Sequence, residues 1–178
     1  MHQVYYAKIK PLRRKDRYEL YYRYLPESRK KRVDNYVKEE DKLRSVAAFT
    51  LLIKLLNDYK INYHDEDFRI DENGKLFLNQ SNIYLNLSHS GKYVVAAISD
   101  HLIGVDVEEN RREIKYKELI DYVFNEEEKK EFRHAINRRI FFYQIWTLKE
   151  SFVKNLGQGL NIGLDTFEMI LENEISVI

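Results

Sequence analysis

The rhythm of apolar positions changes several times along this chain, and each change marks an element. From Val4 to Ile9 a weak alternation rich in Tyr and Val predicts a first strand. Lys30 to Tyr36 reads as a short basic helix entered behind Pro26. Glu40 to Tyr59 carries the longest helical pattern. Between Ser45 and Asn57 its only charge is Lys54, so that helix must be covered on most sides. In FRIDENGKLFL, from Phe68 to Leu78, Asn73-Gly74 sits between two short apolar alternations and predicts a hairpin. Three further strands are expected at Ile83 to Leu87, Tyr93 to Ser99 and Leu102 to Glu108. After Arg112 the pattern turns helical: Asn125 caps the acidic run EEEKKEF, and a helix from Arg139 to Leu156 stops at Gly157. Thr166 to Leu171 and Ile175 to Ile178 close the chain as strands. The list is α+β, and its layout suggests two similar halves, each pairing a long helix with short strands.

Composition narrows the class. A chain of 178 residues with 44% apolar and 13% aromatic content can bury a core of its own. It has no cysteine, which excludes disulfides and thiolate metal sites and suits a reducing compartment. MHQVYYAKIK lacks the apolar stretch of a signal peptide, and no apolar run nears the roughly 18 residues needed to span a bilayer. A soluble cytoplasmic protein is expected, with no membrane partner. The formal net charge of +1 conceals an asymmetry. Residues 1 to 60 hold 16 basic and 8 acidic side chains, a balance of +8, and the remaining residues balance at −7. A polyanion held by one half and a cation by the other would use that split, although solvated helix faces would produce it too.

Three short stretches carry candidate chemistry. In IGVDVE, residues two apart on a strand share a face, so Asp106 and Glu108 point together while Val105 and Val107 face the core. The pair is either a wet outer face or half of a site for a hard cation, which would relieve the repulsion between two carboxylates. In WTLKESFVK, Trp146, Glu150 and Lys154 fall at i, i+4 and i+8 on one helical stripe, with Ile145, Leu148 and Phe152 on the buried side. Read alone, this is also an ordinary surface Glu–Lys pair. NLSHSG, Asn86 to Gly91, can offer hydroxyls and an imidazole to a phosphate at a strand end, or be a plain turn. His89 has no second histidine at metal spacing, and the G-x-S-x-G elbow of a serine hydrolase is missing.

In their order and spacing, NGK at Asn73 to Lys75, NLSHS at Asn86 to Ser90, IGVDVE, WTLKESFVK and GQGL at Gly157 to Leu160 together resemble the 4'-phosphopantetheinyl transferase superfamily. The likeness is nearest to its larger pseudo-dimeric class, which activates peptide and polyketide synthetases. It implies a pseudo-dimer of two similar α/β halves, each a small antiparallel sheet on a long helix. Residues 1–101 would bind the nucleotide and phosphates of coenzyme A, and residues 102–178 would carry the metal ligands and the carrier-protein docking surface. By the same resemblance, Asp106, Glu108 and Glu150 would hold Mg2+, with Mn2+ as a substitute. Lys154 would lie near the pantetheine phosphate, and Lys149, Ser88, His89 and Lys75 would contact coenzyme A. Lys31 and Arg44 would reach the 3'-phosphate region. Glu150 is the leading general base, with Glu128 or a metal-bound water as alternatives.

Departures from the family pattern set further expectations. Ser28 stands where some relatives have lysine, which shifts weight onto Arg29, Lys31 and neighbouring bases. The larger class usually continues past the position of Ile178. The second half is therefore expected to be short of strands, leaving Ile175 to Ile178 as an apolar edge that self-association or unusual packing would cover. The protein is expected to be a monomer acting on coenzyme A and an apo acyl or peptidyl carrier protein. Tyr116, Tyr122 and Phe124 are candidates for the rim where the carrier docks, or, as aromatics more often are, members of the core. Two rival classes are a non-catalytic coenzyme A or nucleotide-binding module and a nucleic-acid binder. The second would leave the acid pair and NLSHSG idle and shows no recognisable motif, so no nucleic-acid partner is expected.

Overall fold

A computed structural model describes residues 1–79, 81–110, 116–157, 162–171 and 175–177. Strand β1, His2–Lys8, pairs antiparallel with β5, Tyr93–Ser99, whose other edge takes β4, Tyr84–Ser90, giving the order β1-β5-β4. Val94 to Ser99 are all buried, as a central strand with both faces covered requires. Leu85, Leu87, Ala96 and Ile98 share one face and pack on helix α3, Glu39–Asp58, through Val46, Phe49, Leu52 and Leu56. The near-absence of charge in the middle of α3 is explained: the sheet, α1 (Lys15–Arg23) and α2 (Glu27–Asp34) all lean on it.

The hairpin forms where Asn73-Gly74 predicts it, with β2 (Phe68–Ile70) and β3 (Leu76–Leu78) in register Phe68 to Leu78. Its loop is fastened by the Asp71 carboxylate, which accepts from the Asn73 and Lys75 N–H groups, and Gly74 takes φ +83° there.

A second core is built by α4 (Tyr116–Val123), α5 (Glu126–His134), α6 (Arg138–Leu156) and the pair β6 (Met169–Leu171) and β7 (Ile175–Val177). Phe124, Phe132, Phe142, Ile145 and Met169 form its centre, with aromatic rings meeting edge to face. Asn125 caps α5 by accepting from Glu128 N–H at 2.8 Å, and Gly157 ends α6 in the left-handed conformation at φ 71°.

Several expectations are corrected. Residues 102–110 form no strand. Among the described residues they make no main-chain ladder, and two of their N–H groups, those of Val105 and Glu109, are taken up by side chains of β4. Asn86 to Ser90 is not a loop after a strand but the body of β4. Helix α1 has no fully buried residue; Tyr18, Tyr21 and Tyr22 pack on the core only in part, so its apolar rhythm is faint. Phe124 is fully buried and Tyr116 packs beside it, leaving Tyr122 as the exposed member of the three candidate rim aromatics. The GQGL stretch beyond Gly157, residues 111–115, and Ile178 lie outside the described residues.

Candidate functional site

A cleft of about 490 Å³ opens between the two cores, and three structural features supply its walls. The first is α2. Val33 anchors this helix in the core, so Arg29, one turn earlier, and Arg32 face the cleft with Tyr36. Lys31 is two positions from Arg29, about 200° around the helix, and is exposed away from the cleft. The helical phase therefore replaces Lys31 by Arg29 and Arg32. Burial, then the neighbouring Arg32, pulls the Arg29 guanidinium down to about 10, and its Nε is buried without a partner. A buried, unsatisfied cationic donor at a cleft wall suits an anion.

The second wall is β4 with the extended segment laid across it. Asn86, Ser88 and Ser90 occupy alternate positions and therefore one face, the face away from α3. Asn86 Oδ1 accepts Val105 N–H at 2.9 Å, and Ser90 Oγ accepts Glu109 N–H at 3.1 Å. Ser88 Oγ donates to Asp106 at 2.7 Å, and Ser90 Oγ donates to Glu108 at 2.7 Å. On the other side the segment touches α6. A Cβ on Gly104 would come within 1.8 Å of Ser151 O, so only glycine allows this approach.

The third wall is α6, which presents Trp146, Glu150, Val153, Lys154 and Gly157. Lys154 Nζ meets Asp106 Oδ1 at 2.5 Å and Ser88 Oγ at 3.0 Å. Burial raises Glu150 above the usual carboxyl range; Lys154 opposes this, while Asp106 and Glu108 add to it. The hairpin closes the C-terminal end of α6: Lys75 Nζ donates to Asn155 O at 2.8 Å and Asn73 Nδ2 to Gly157 O at 3.0 Å. A lysine there complements the helix dipole. Burial lowers the Lys75 ammonium below its ordinary value, with Asp71 pulling the other way.

Asp106, Glu108, Glu150, Lys154, Lys75, Ser88 and His89 thus line one cleft. Arg44 lines a smaller adjoining cavity of about 270 Å³, which shares His89 and Glu108 with the first, and it is held by Asp41 at 2.5 Å and by Gly91 O at 3.0 Å. Glu128 and Lys149 are elsewhere. Both side chains are fully buried in the second core, 2.5 Å apart, and neither lines the cleft. Lys149 also donates to the carbonyls of Val123, Leu164 and Phe167, while Glu128 accepts from the Asn125 and Met169 N–H groups. A base or phosphate ligand needs an open lone pair or N–H, and this cluster has spent them. The spacing N-x-x-E of Asn125 and Glu128 is a capping box, a signal that explains Glu128 structurally.

Tyr36 is a cleft residue that no motif names, Arg32 stands in the sequence only among the bases near Arg29, Asn73 and Asn86 stand only as members of their motifs, and Ser90 lines the smaller cavity. The i, i+3, i+7 phase from Arg29 and the alternation N-x-S-x-S are the signals that locate them. As a place for a cation, the acid trio fits on one observation: Asp106 is almost fully buried, and its Oδ2 has no hydrogen-bond partner. The acids are not preassembled into a closed shell. Among the described residues, the trio whose ligand atoms lie within 4.8 Å of one another is His2, Asp100 and His101, exposed at the opposite end of the sheet.

Cations and acids thus face one another in a cleft between the two cores. Residues 102–178 match the family described as the 4'-phosphopantetheinyl transferase superfamily, and residues 10–101 match the one described as 4'-phosphopantetheinyl transferase, N-terminal. The chain belongs to that superfamily. It is 36% identical to the 4'-phosphopantetheinyl transferase gsp of Aneurinibacillus migulanus over 74% of this chain and 56% of the relative. It is 31% identical to ffp of Bacillus subtilis over 76% of this chain and 62% of the relative, and 28% identical to Sfp of Bacillus subtilis (strain 168) over 84% and 67%. The chain thus spans roughly three fifths of the length of the first two. No helix among the described residues is long and apolar enough to cross a membrane.

Proposed function

We propose that this chain transfers the 4'-phosphopantetheine arm of coenzyme A to a serine hydroxyl of an acyl, peptidyl or aryl carrier protein, releasing adenosine 3',5'-bisphosphate. The observation that carries the reading is one cleft in which Arg29, Arg32, Lys75 and Lys154 face Asp106, Glu108 and Glu150. In the transfer, the serine oxygen bonds to the phosphorus next to the pantetheine arm, and the bond to the bridging pyrophosphate oxygen breaks. Repulsion between the incoming oxygen and the anionic pyrophosphate dominates such a barrier.

Asp106, Glu108 and Glu150 would hold Mg2+ or Mn2+, which when bound supplies charge neutralisation and alignment of the pyrophosphate. Lys154 offsets charge on the phosphate oxygens, and Arg29 and Arg32 hold the nucleotide end. Lys75, Ser88 and His89 complete the phosphate wall, with Arg44 beside it. Glu150, the acid that α6 brings to the cleft, accepts the serine proton. Glu128, closed within the second core, has no part in that step.

The same reading gives residues 1–101 the nucleotide and residues 102–178 the cation and the carrier, as two halves that each set a long helix, α3 or α6, against a small antiparallel sheet. It places a monomer in the cytoplasm. A non-catalytic coenzyme A-binding module is the alternative, and it has no use for three acids in the cleft.

Mixing the protein with coenzyme A, Mg2+ and several unrelated apo carriers, then weighing each carrier, tests the proposal. A phosphopantetheine mass gain is expected, and Glu150→Gln should abolish it while largely keeping coenzyme A binding. A native protein that binds coenzyme A but adds mass to no carrier supports the module instead.

A further inference from the structure

Asp106 and Glu108, two of the three acids of the cleft, sit on a stretch that joins no sheet among the described residues. Residues 102–110 make no main-chain ladder among the described residues, yet Asp106 and Glu108 must face Glu150 rather than the opposite side. In an extended segment a slip of one residue turns every side chain over. Something other than a ladder must therefore set the register.

Asn86 and Ser90 stand at the two ends of the contact. Asn86 Oδ1 takes the Val105 N–H and Ser90 Oγ takes the Glu109 N–H, so four residues on β4 are matched by four on the segment. Each of these two N–H groups finds its acceptor on a side chain. Ser90 does a second task with the same hydroxyl, donating its proton to Glu108 Oε2. Asn86 is almost fully buried. Ser88, between them, bonds Asp106 itself and belongs to the site already described. On the far side Gly104 presses against α6, so the segment is fixed from both faces.

We propose that Asn86 and Ser90 are positioning residues that act as a side-chain ladder, fixing the register of residues 105–109 and thereby the facing of Asp106 and Glu108 toward Glu150. The proposal rests on the cation reading of that trio. Groups that orient the first ligands of a metal typically change its affinity by roughly 10- to 100-fold when removed.

The test uses the full chain with Mn2+ as the probe, its binding followed by electron paramagnetic resonance without coenzyme A or carrier. Asn86→Ala and Ser90→Ala are each expected to weaken Mn2+ by about 10-fold or more. Ser90→Thr, which keeps the hydroxyl, should recover most of the loss. Coenzyme A binding without the ion should fall much less than Mn2+ binding, since Arg29 and Arg32 are untouched. Unchanged Mn2+ affinity in both alanine variants overturns the proposal, as does a native chain that binds no Mn2+. A native chain that binds Mn2+ but modifies no carrier breaks the transferase reading and leaves this one standing. If either variant fails to fold, amide hydrogen exchange in the native protein decides. The Val105 and Glu109 amides should be protected although they lie in no strand, and fast exchange at both would overturn the ladder.

Discussion

Lys149 and Lys154 stand five residues apart on α6, and each closes on a carboxylate at 2.5 Å, yet they do opposite things. Lys149 and Glu128 are fully buried, and every proton and nearly every lone pair between them is used by a carbonyl or an N–H of the second core. Burial pulls the Lys149 ammonium below its ordinary value, while Glu128 pulls it back. Lys154 keeps 30% of its side chain exposed at the cleft, and its partner Asp106 retains one buried oxygen with nothing to bond. Ion-pair distance does not separate structure from function here. Saturation does: a closed network holds helices together, and an open one has capacity left for a ligand.

The largest effect should come from breaking the closed pair. Lys149→Met leaves Glu128 and three carbonyls buried without their cation, and should cost about 3–5 kcal/mol in urea unfolding. A loss below about 1 kcal/mol would mean that the network is not structural. Lys154→Met should cost less, about 1–3 kcal/mol, because the stranded Asp106 borders a cleft that solvent or an ion can enter. Mg2+ should restore part of that loss, since an ion that binds only the folded chain stabilises it. It should do nothing for Lys149→Met. Equal responses of the two variants to Mg2+ would erase the distinction.

The same contrast shows what the sequence could carry. Periodicity places α3, α6, β1, β5 and the NG hairpin within one or two residues, because the residue types of each recur at the spacing of its own element. It also puts Glu150 and Lys154 on one stripe with Trp146, which the cleft confirms in geometry. It cannot tell Lys149 from Lys154. Both are lysines in one motif, and the difference lies in carbonyls contributed from residues 123, 164 and 167. Helix α1 escapes for another reason: its buried face is made of the half-buried rings of Tyr18, Tyr21 and Tyr22, whose hydroxyls make the pattern read as polar. The segment 102–110 alternates like a strand but is held by side chains, and alternation reports which faces differ, not who accepts the N–H groups.

The smallest effect, and the finest test of the open site, is the titration of His89. Partial burial, then Arg44, and further off Arg29 and Lys154, hold its imidazole below the ordinary value. The folded chain therefore binds this proton more weakly than the unfolded one. Stability from that source is present above the unfolded value of roughly 6.5 and is lost as pH falls through the folded value. Lys154→Met takes away one repelling cation, so the His89 midpoint followed by nuclear magnetic resonance should move up. Arg44→Met should move it further, because Arg44 is the strongest of the three cations acting on it. Each variant should also lose less stability than the native chain between neutral pH and about pH 5, since a smaller depression leaves less to lose. A midpoint that ignores both substitutions would mean that these cations do not converge on His89. The cleft would then lack the focused positive field that an anionic pyrophosphate requires.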